Sequence, residues 1–200
     1  MTQMTLAVIT GSVREGRFGP TVTRWFTEQA SAHGLFGLDV IDLAGTPLPA
    51  ELPSSFEALA DVDGRAPELR RLAGRLAAAD AFAVVTPEYN HSFPASIKHA
   101  IDWHPTQWQA KPVALVSYGG YGGGLRAAEH LRQVFNEMHA VTIRDWISFD
   151  QHWTRFDADG RLTRDPEGAQ AAAKVLLDRL GWWSGALRQA RLAVPYQAAA

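Results

Sequence analysis

The chain has 200 residues, of which 46% are apolar and 20% charged, and its formal net charge is −2. These values are typical of one globular domain, here residues 1–200, that is long enough to bury a core. So small a charge gives no long-range attraction for nucleic acid or anionic lipid. The sequence has no cysteine, which excludes disulfides, thiolate metal sites and iron–sulfur clusters. Any redox chemistry would therefore need a bound organic cofactor.

The N-terminal residues, 1–10, have a short apolar run and no basic segment before it, unlike a signal peptide. No stretch of the chain approaches the ~20 consecutive apolar residues of a membrane span. We therefore predict a cytoplasmic protein with neither a membrane nor a nucleic acid as partner.

The first part of the chain predicts a strand, a helix and a second strand. Leu6–Thr10 is a compact apolar run that leads directly into a glycine-rich turn. A helix is predicted to begin at Gly19, since the proline that follows suits a first turn, and Gly34 can end it. The second strand is predicted over Leu38–Leu43.

Residues 46–66 are the least regular part of the sequence, because three prolines interrupt them. This composition predicts a surface excursion with one short helix near Phe56–Ala60. Pro67 then begins a helix with apolar residues at helical spacing. Ala81–Thr86 is apolar throughout, as expected of a strand covered on both faces.

The second half continues the alternation of helices and strands. A helix is predicted from Pro94 to before Pro105, and a strand over Pro112–Ser117. A glycine-rich loop and a further helix lead to the fifth strand, Val141–Phe149, with a kink at Asp145. The closing helix covers about residues 166–192, with an inner face of Leu176, Leu180, Trp183 and Leu187.

Five strands that alternate with helices predict an α/β fold with a parallel sheet between two helical layers. The pattern is similar to the flavodoxin-like three-layer sandwich, and that similarity implies the strand order 2-1-3-4-5. In such sheets ligands bind outside the carboxyl ends of the strands. The loops after strands one, three and four emerge at this edge, and they contain the unusual residues of the sequence.

The three loops offer complementary groups to one ligand. Residues 11–19 provide a hydroxyl, two guanidinium groups and a helix N-terminus, which suit a phosphate. Residues 87–93 provide the aromatic face of Tyr89 and the amide of Asn90, which suit a flat heteroaromatic ring with an imide edge. The repeated glycines of residues 117–124 let such a ring approach the backbone. Each loop alone also fits an ordinary turn, so the interpretation depends on all three.

Three segments, Gly-Ser-Val-Arg at 11–14, Pro-Glu-Tyr-Asn at 87–90 and Ser-Tyr-Gly-Gly at 117–120, resemble the NADPH-dependent FMN reductase family. The resemblance covers about residues 6–138. It implies bound FMN, NADPH or NADH as hydride donor, and a small electron acceptor such as a quinone, free flavin, azo compound or metal oxyanion. Hydride would pass from the nicotinamide to flavin N5, so no side chain is implied to be catalytic.

The resemblance also implies which residues bind FMN. The phosphate would be held by Ser12, Arg14, Arg17 and Phe18. The ribityl chain and the ring would be lined by Pro87, Glu88, Tyr89 and Asn90. The other edge of the ring would be bordered by Ser117, Tyr118, Gly119 and Gly120. The family often has small polar residues at positions 17 and 19, where this chain has arginine and glycine.

Other classes fit the sequence less well. No lysine is followed by serine or threonine, which excludes a P-loop. Gly122, Gly124 and Ala127 match a Rossmann fingerprint, but that reading leaves the first two loops unexplained. The histidines show no zinc-like spacing, so no metal is predicted. A non-catalytic FMN-binding electron carrier or sensor stays open as the alternative.

Adjacent tryptophans in the closing helix, Trp182 and Trp183, cannot both face one core, because neighbouring helical residues point about 100° apart. An exposed tryptophan is typical of a subunit interface. We therefore predict a homodimer or homotetramer.

Overall fold

The computed structural model describes residues 3–61 and 63–196. Five parallel strands form one sheet in the order β2-β1-β3-β4-β5, which confirms the predicted fold. The strands are β1 (Met4–Thr10), β2 (Phe36–Asp42), β3 (Ala81–Pro87), β4 (Pro112–Tyr118) and β5 (Val141–Phe149). The helices are α1 (Gly19–His33), α2 (Phe56–Ala60), α3 (Pro67–Ala78), α4 (Ala95–Asp102), α5 (Leu125–Glu137) and α6 (Pro166–Ala193). The single-domain prediction for residues 1–200 and the prediction for the N-terminus extend to residues outside the described ranges and stay predictions.

The sheet separates two apolar cores. On one face, α1 and α6 pack over alternate residues of the central strands, with Val22, Phe26 and Leu176 fully buried. On the other face, α3, α4 and α5 bury Leu72, Ile101 and other apolar side chains against the intervening strand residues. Because strand side chains alternate between faces, continuous apolar runs such as β3 fill both cores at once.

The inner face of α6 was predicted correctly at Leu176 and Leu180, which are fully buried, and wrongly at Trp183 and Leu187. Trp183 is 37% exposed and Leu187 is half-buried, whereas Ala173, Leu177 and Ser184 are buried. The buried stripe therefore lies about one residue further round the helix than the apolar pattern indicates. Small residues occupy part of this stripe because α6 packs closely on its neighbours. A Cβ at Gly181, for example, would lie 2.2 Å from Cδ2 of Leu35, which is in the turn before β2.

The first half of β5 is irregular, in agreement with the kink predicted at Asp145. While β4 advances from Val113 to Leu115, the paired residue on β5 changes from Thr142 to Trp146. The extra residues bulge out of the ladder, as β-bulges at sheet edges do. After the bulge the register is regular again up to Tyr118 and Phe149, so β5 still delivers its carboxyl end to the ligand edge.

None of the helices within residues 3–61 and 63–196 combines the length and apolar character that crossing a membrane would need.

A buried lysine closes the edge of the sheet opposite the loops. Lys111 is 7% exposed, and its Nζ donates to the carbonyl oxygens of Leu76 and Ala77, at 2.8 and 2.9 Å, in the last turn of α3. The pKa of Lys111 is lowered to about 8, mainly by burial and also by Arg191, while Asp80 opposes the shift. The ammonium thus caps a helix C-terminus, where a cation is favoured, at a desolvation cost.

We predict that the stability of the protein relative to its Lys111→Met variant rises with pH. The pKa of Lys111 is about 8 when folded and has an ordinary value of 10.5, so between these pH values the unfolded chain binds the extra proton. The free energy of unfolding of the wild type should therefore gain on the order of 2 kcal/mol over the variant across this window. Urea unfolding of both proteins from pH 7 to 10 measures it, with Lys174→Met, an exposed lysine, as control. A difference independent of pH would contradict the prediction.

Candidate cofactor site

A cleft of about 320 Å³ lies at the carboxyl edge of the sheet, where the first, second and third loops meet. The residues that line it are Arg14, Glu15, Gly16, Arg17, Phe18, Pro87, Glu88, Tyr89, Tyr118, Gly119, Gly120 and His152. Nine of the twelve residues predicted to bind the cofactor are in this set. The structure therefore brings most of the predicted residues together around one opening.

Three of the predicted residues do not line the cleft. The Ser12 side chain is buried just behind it, with its hydroxyl 2.6 Å from that of Tyr89. The Ser117 hydroxyl is also buried and donates to the carbonyl of Gly123 at 2.8 Å. Asn90 is exposed, with a φ of 49°. Ser12 and Ser117 are thus placed to hold the loops that form the cleft.

The first loop ends at the N-terminus of α1, which faces the cleft. Phe18 is the N-cap residue and supplies no side-chain hydrogen bond, while the amides of Thr21 and Val22 donate to its carbonyl. Helix N-termini carry partial positive charge and favour anions. This end of the cleft is therefore suited to a phosphate.

Arg17 forms an ion pair with Asp42, the last residue of β2. Its two terminal nitrogens lie 2.5 and 2.6 Å from the carboxylate oxygens of Asp42, and one of them also donates to the Ser12 carbonyl at 2.9 Å. This hydrogen-bonded pairing raises the pKa of Arg17 and lowers the pKa of Asp42. The guanidinium braces the first loop against β2, and the predicted contact of Arg17 with a phosphate stays a prediction.

Arg14 and Tyr89 form the outer rim of the cleft. The guanidinium carbon of Arg14 lies 5.1 Å from the centroid of the Tyr89 ring, within the range of a cation–π contact. Tyr89 begins a tight turn, closed by mutual backbone hydrogen bonds with Ser92, in which Asn90 and His91 both have positive φ. The turn fixes the direction of the Tyr89 side chain.

An ion pair joins the second loop to the start of α5, which directly follows the third loop. The Glu88 carboxylate, whose side chain is 10% exposed, accepts from the backbone amide of Arg126 at 3.1 Å and from its guanidinium. Arg126 lies in the first turn of α5, so the carboxylate also interacts favourably with that helix dipole. The spacing between the two loops is thus set by a charge-assisted contact.

The third loop needs glycine for its own packing as well as for access to a ligand. Gly123 and Gly124 have φ values of 58° and 83°, and a Cβ on Gly123 would lie 2.3 Å from Ser148 Oγ. A Cβ on Gly124 would lie 2.7 Å from that of Ser117. Larger residues here would displace the loop from β4 and β5.

His152 lines the cleft although the sequence did not single it out as a cofactor residue. Its Nδ1 lies 3.0 Å from the Gly119 carbonyl, and its ring centroid lies 4.6 Å from that of Phe18. It follows β5 directly, and the carboxyl end of β5 reaches the same edge of the sheet as the other strands. The predicted topology places the loop after β5 at this edge, and this was the signal that could have identified His152.

The cleft fits the phosphate end of FMN. Tyr118 is 3% exposed, and its hydroxyl has no hydrogen-bond partner of acceptable geometry among the described residues. A buried hydroxyl normally has a partner, so this one can still donate to a ligand. It lies beside the start of α1, 3.1 Å from the position that a Cβ on Gly19 would occupy. In the described part of the chain, histidines and acidic residues form no group of three or more suited to a metal ion.

A family model described as NADPH-dependent FMN reductase matches residues 4–154. The chain belongs to this family. An NAD(P)H:quinone oxidoreductase of Solanum tuberosum is 33% identical over 179 residues, which cover 86% of this chain and 89% of that protein. A 2-hydroxy-1,4-benzoquinone reductase of a Burkholderia species is 29% identical over 189 residues, or 89% and 94% of the two chains.

A solved structure has the same fold. The flavoenzyme FerB of Paracoccus denitrificans, described as an NAD(P)H:(acceptor) oxidoreductase, superposes with a TM-score of 0.70 and 25% identity, covering 92% of this chain and 98% of that one. The comparisons confirm the predicted family, the enzyme class and the cofactors: FMN as the bound group and NAD(P)H as the electron donor.

We predict that Arg17 raises the affinity for FMN indirectly, by holding the first loop in place against β2. Arg17→Ala should weaken FMN binding by about tenfold, because it frees the loop and leaves the Asp42 carboxylate uncompensated near the phosphate. Removing Asp42 as well, in Arg17→Ala/Asp42→Ala, should recover part of the affinity. Quenching of flavin fluorescence on titration of the apoprotein measures all three affinities.

The matched control is Arg75→Ala, because Arg75 forms the equivalent ion pair with Asp39 on the outer part of β2. This variant should bind FMN as the wild type does. A double variant that binds FMN no better than Arg17→Ala would instead assign Arg17 to the phosphate itself.

Proposed function

We propose that the protein is an FMN-dependent NAD(P)H oxidoreductase whose acceptor is a small quinone. The observation that carries the proposal is the cleft itself, which is open to solvent and has an anion-binding end and an aromatic rim on one edge of the sheet. The names of the relatives, several of them quinone reductases, support a quinone over a dye or a metal oxyanion.

Bound FMN would supply the redox chemistry, taking a hydride from NAD(P)H and passing two electrons to the acceptor. The protein would contribute binding and orientation. The N-terminus of α1 holds the anionic end, and the Glu88–Arg126 pair fixes the gap between the second and third loops. The His152 ring lies within hydrogen-bond distance of the Gly119 carbonyl and so restrains the start of the third loop. These contacts hold a planar group in one orientation, which is what successive electron transfers in one site require.

Two features of the rim support exchange of donor and acceptor at the same place. Tyr89 offers a half-buried aromatic face, and Arg14 places an exposed cation beside it. A cation at this position would favour the anionic phosphates of NAD(P)H and would stabilise an oxygen anion on a reduced quinone. We assign proton transfer to no side chain of the cleft.

Anaerobic mixing of the FMN-loaded protein with NADPH tests this function. The visible band of the flavin should bleach, and it should return when 1,4-benzoquinone is added, faster than with an azo dye or chromate. The same experiment with NADH sets the donor preference. A flavin that keeps its colour with both donors would identify a non-catalytic carrier or sensor, and a faster return with chromate would overturn the quinone assignment.

We also propose that the enzyme is a homodimer or homotetramer. Trp182 and Trp183 on α6 are 67% and 37% exposed, and their rings meet edge to face with centroids 5.2 Å apart. Exposed aromatic pairs of this kind are typical of interfaces. A monomer in light scattering at micromolar concentration would contradict this proposal. The cytoplasmic location stays a prediction.

A further inference from the structure

The first turn of α1 lacks the side chain that usually caps a helix. Phe18 occupies the N-cap position, where serine, threonine, aspartate or asparagine would normally accept a hydrogen bond from the turn. Pro20, in the first turn, has no amide hydrogen. The helix thus faces the cleft with the partial positive charge of its N-terminus and with no capping side chain to offset that charge.

The Tyr118 hydroxyl lies beside the first residue of α1. It comes from the carboxyl end of β4 and ends beside Gly19, where an added Cβ would lie 3.1 Å from the hydroxyl and 3.1 Å from Thr10 Cγ2. Glycine at position 19 therefore leaves room for the tyrosine. The side chain is wedged in place, because its ring packs against Phe18 and His152 with centroids 6.1 and 5.2 Å away.

The two hydroxyls beside that of Tyr118, on Ser12 and Thr10, have other partners of their own. Ser12 is bonded to Tyr89 at 2.6 Å, and Thr10 to Thr23 at 2.7 Å. Tyr118 itself is 3% exposed, and its hydroxyl forms no hydrogen bond of ordinary geometry within the described ranges. Ser12 approaches it closely enough to lower the pKa of Tyr118, but by less than burial raises that pKa. A buried hydroxyl beside a helix N-terminus that has no capping side chain indicates a ligand that accepts a hydrogen bond from the hydroxyl at the positive end of the helix dipole.

The charges nearby indicate how such a ligand would be recognised. Arg17 is bound on both nitrogens by Asp42, so its charge is largely compensated. Arg14 is exposed and lies over the Tyr89 ring on the rim. Inside the cleft, the tyrosine hydroxyl and the partial positive charge of the helix N-terminus, rather than a free cation, are what an anion would meet.

We propose that the Tyr118 hydroxyl donates a hydrogen bond to the phosphate of FMN at the N-terminus of α1, and that it thereby selects FMN over riboflavin. This inference rests on the proposed function, since it assumes that FMN is the ligand of the cleft. It moves Tyr118 from the edge of the ring, where the family resemblance placed it, to the phosphate.

Binding of two flavins to the Tyr118→Phe apoprotein tests the proposal. The variant should bind FMN about tenfold more weakly than the wild type does, because one hydrogen bond to a charged oxygen is lost. Its affinity for riboflavin, which has no phosphate, should stay within about twofold, since the ring contacts are unchanged. The control is Tyr121→Phe in the same loop, which should alter neither affinity, because Tyr121 is 91% exposed.

The outcomes are distinct. Equal weakening of FMN and riboflavin would place Tyr118 at the ring and overturn the proposal, and so would an unchanged affinity for FMN. A wild-type apoprotein that binds neither flavin would overturn the proposed function first. The variant keeps the packed ring and removes a buried hydroxyl that forms no hydrogen bond of ordinary geometry, so the melting temperature of its apoprotein should stay close to that of the wild type.

A second measurement needs no variant of Tyr118. The chain has four tyrosines, so ring-labelled tyrosine gives four NMR signals to assign. On addition of inorganic phosphate to the wild-type apoprotein, the Tyr118 signal should shift, whereas that of Tyr121 should not. A Tyr118 signal that ignores phosphate and responds equally to FMN and riboflavin would overturn the proposal.

Discussion

The parallel register of the central strands is the constraint on which the site depends. Pro87 on β3 lies opposite Tyr118 on β4, so these strands end at the same level. The ladder then continues for one residue into each loop: the amide of Gly11 donates to Val85, that of Glu88 to Tyr118 and that of Gly119 to Phe149. The loops therefore leave the sheet from fixed, adjacent points. A slip in the register would separate the anion-binding turn from the walls of the cleft.

Ion pairs between elements then set the shape of the opening. Arg17 ties the first loop to the end of β2, and Glu88 ties the second loop to the start of α5. Each pair joins parts of the chain that are distant in sequence, and each is only partly exposed, so solvent and salt screen it less than a surface pair. The same pairing removes most of the arginine charge from the cleft. The arginines therefore hold the loops in position, and in return they are less available for direct contacts with an anionic ligand.

The sequence predicted the strands, the helices and the ligand edge well, because the apolar periods and the glycine and proline boundaries agree with one another along the chain. It predicted single side chains less well. Ser117 and Tyr118 are neighbours on a strand and must point to opposite faces, yet the family motif includes both; only Tyr118 reaches the cleft. His152 was missed because it lies beyond the motif, and Trp183 was misplaced because close packing of α6 favours small residues. These outcomes depend on tertiary direction, which a motif does not contain.

The cleft has the properties of a site whose stability is completed by its ligand. An uncapped helix N-terminus and an enclosed hydroxyl without a partner each disfavour the folded apoprotein. A ligand that satisfies both binds the folded state and not the unfolded chain, so it stabilises the fold in proportion to its concentration and affinity. Residues that would make the apoprotein more stable, such as a capping side chain at position 18, would compete for the same donors. The missing capping side chain and the Tyr118 hydroxyl without an ordinary partner are therefore best explained by an anion that binds at this end of the cleft.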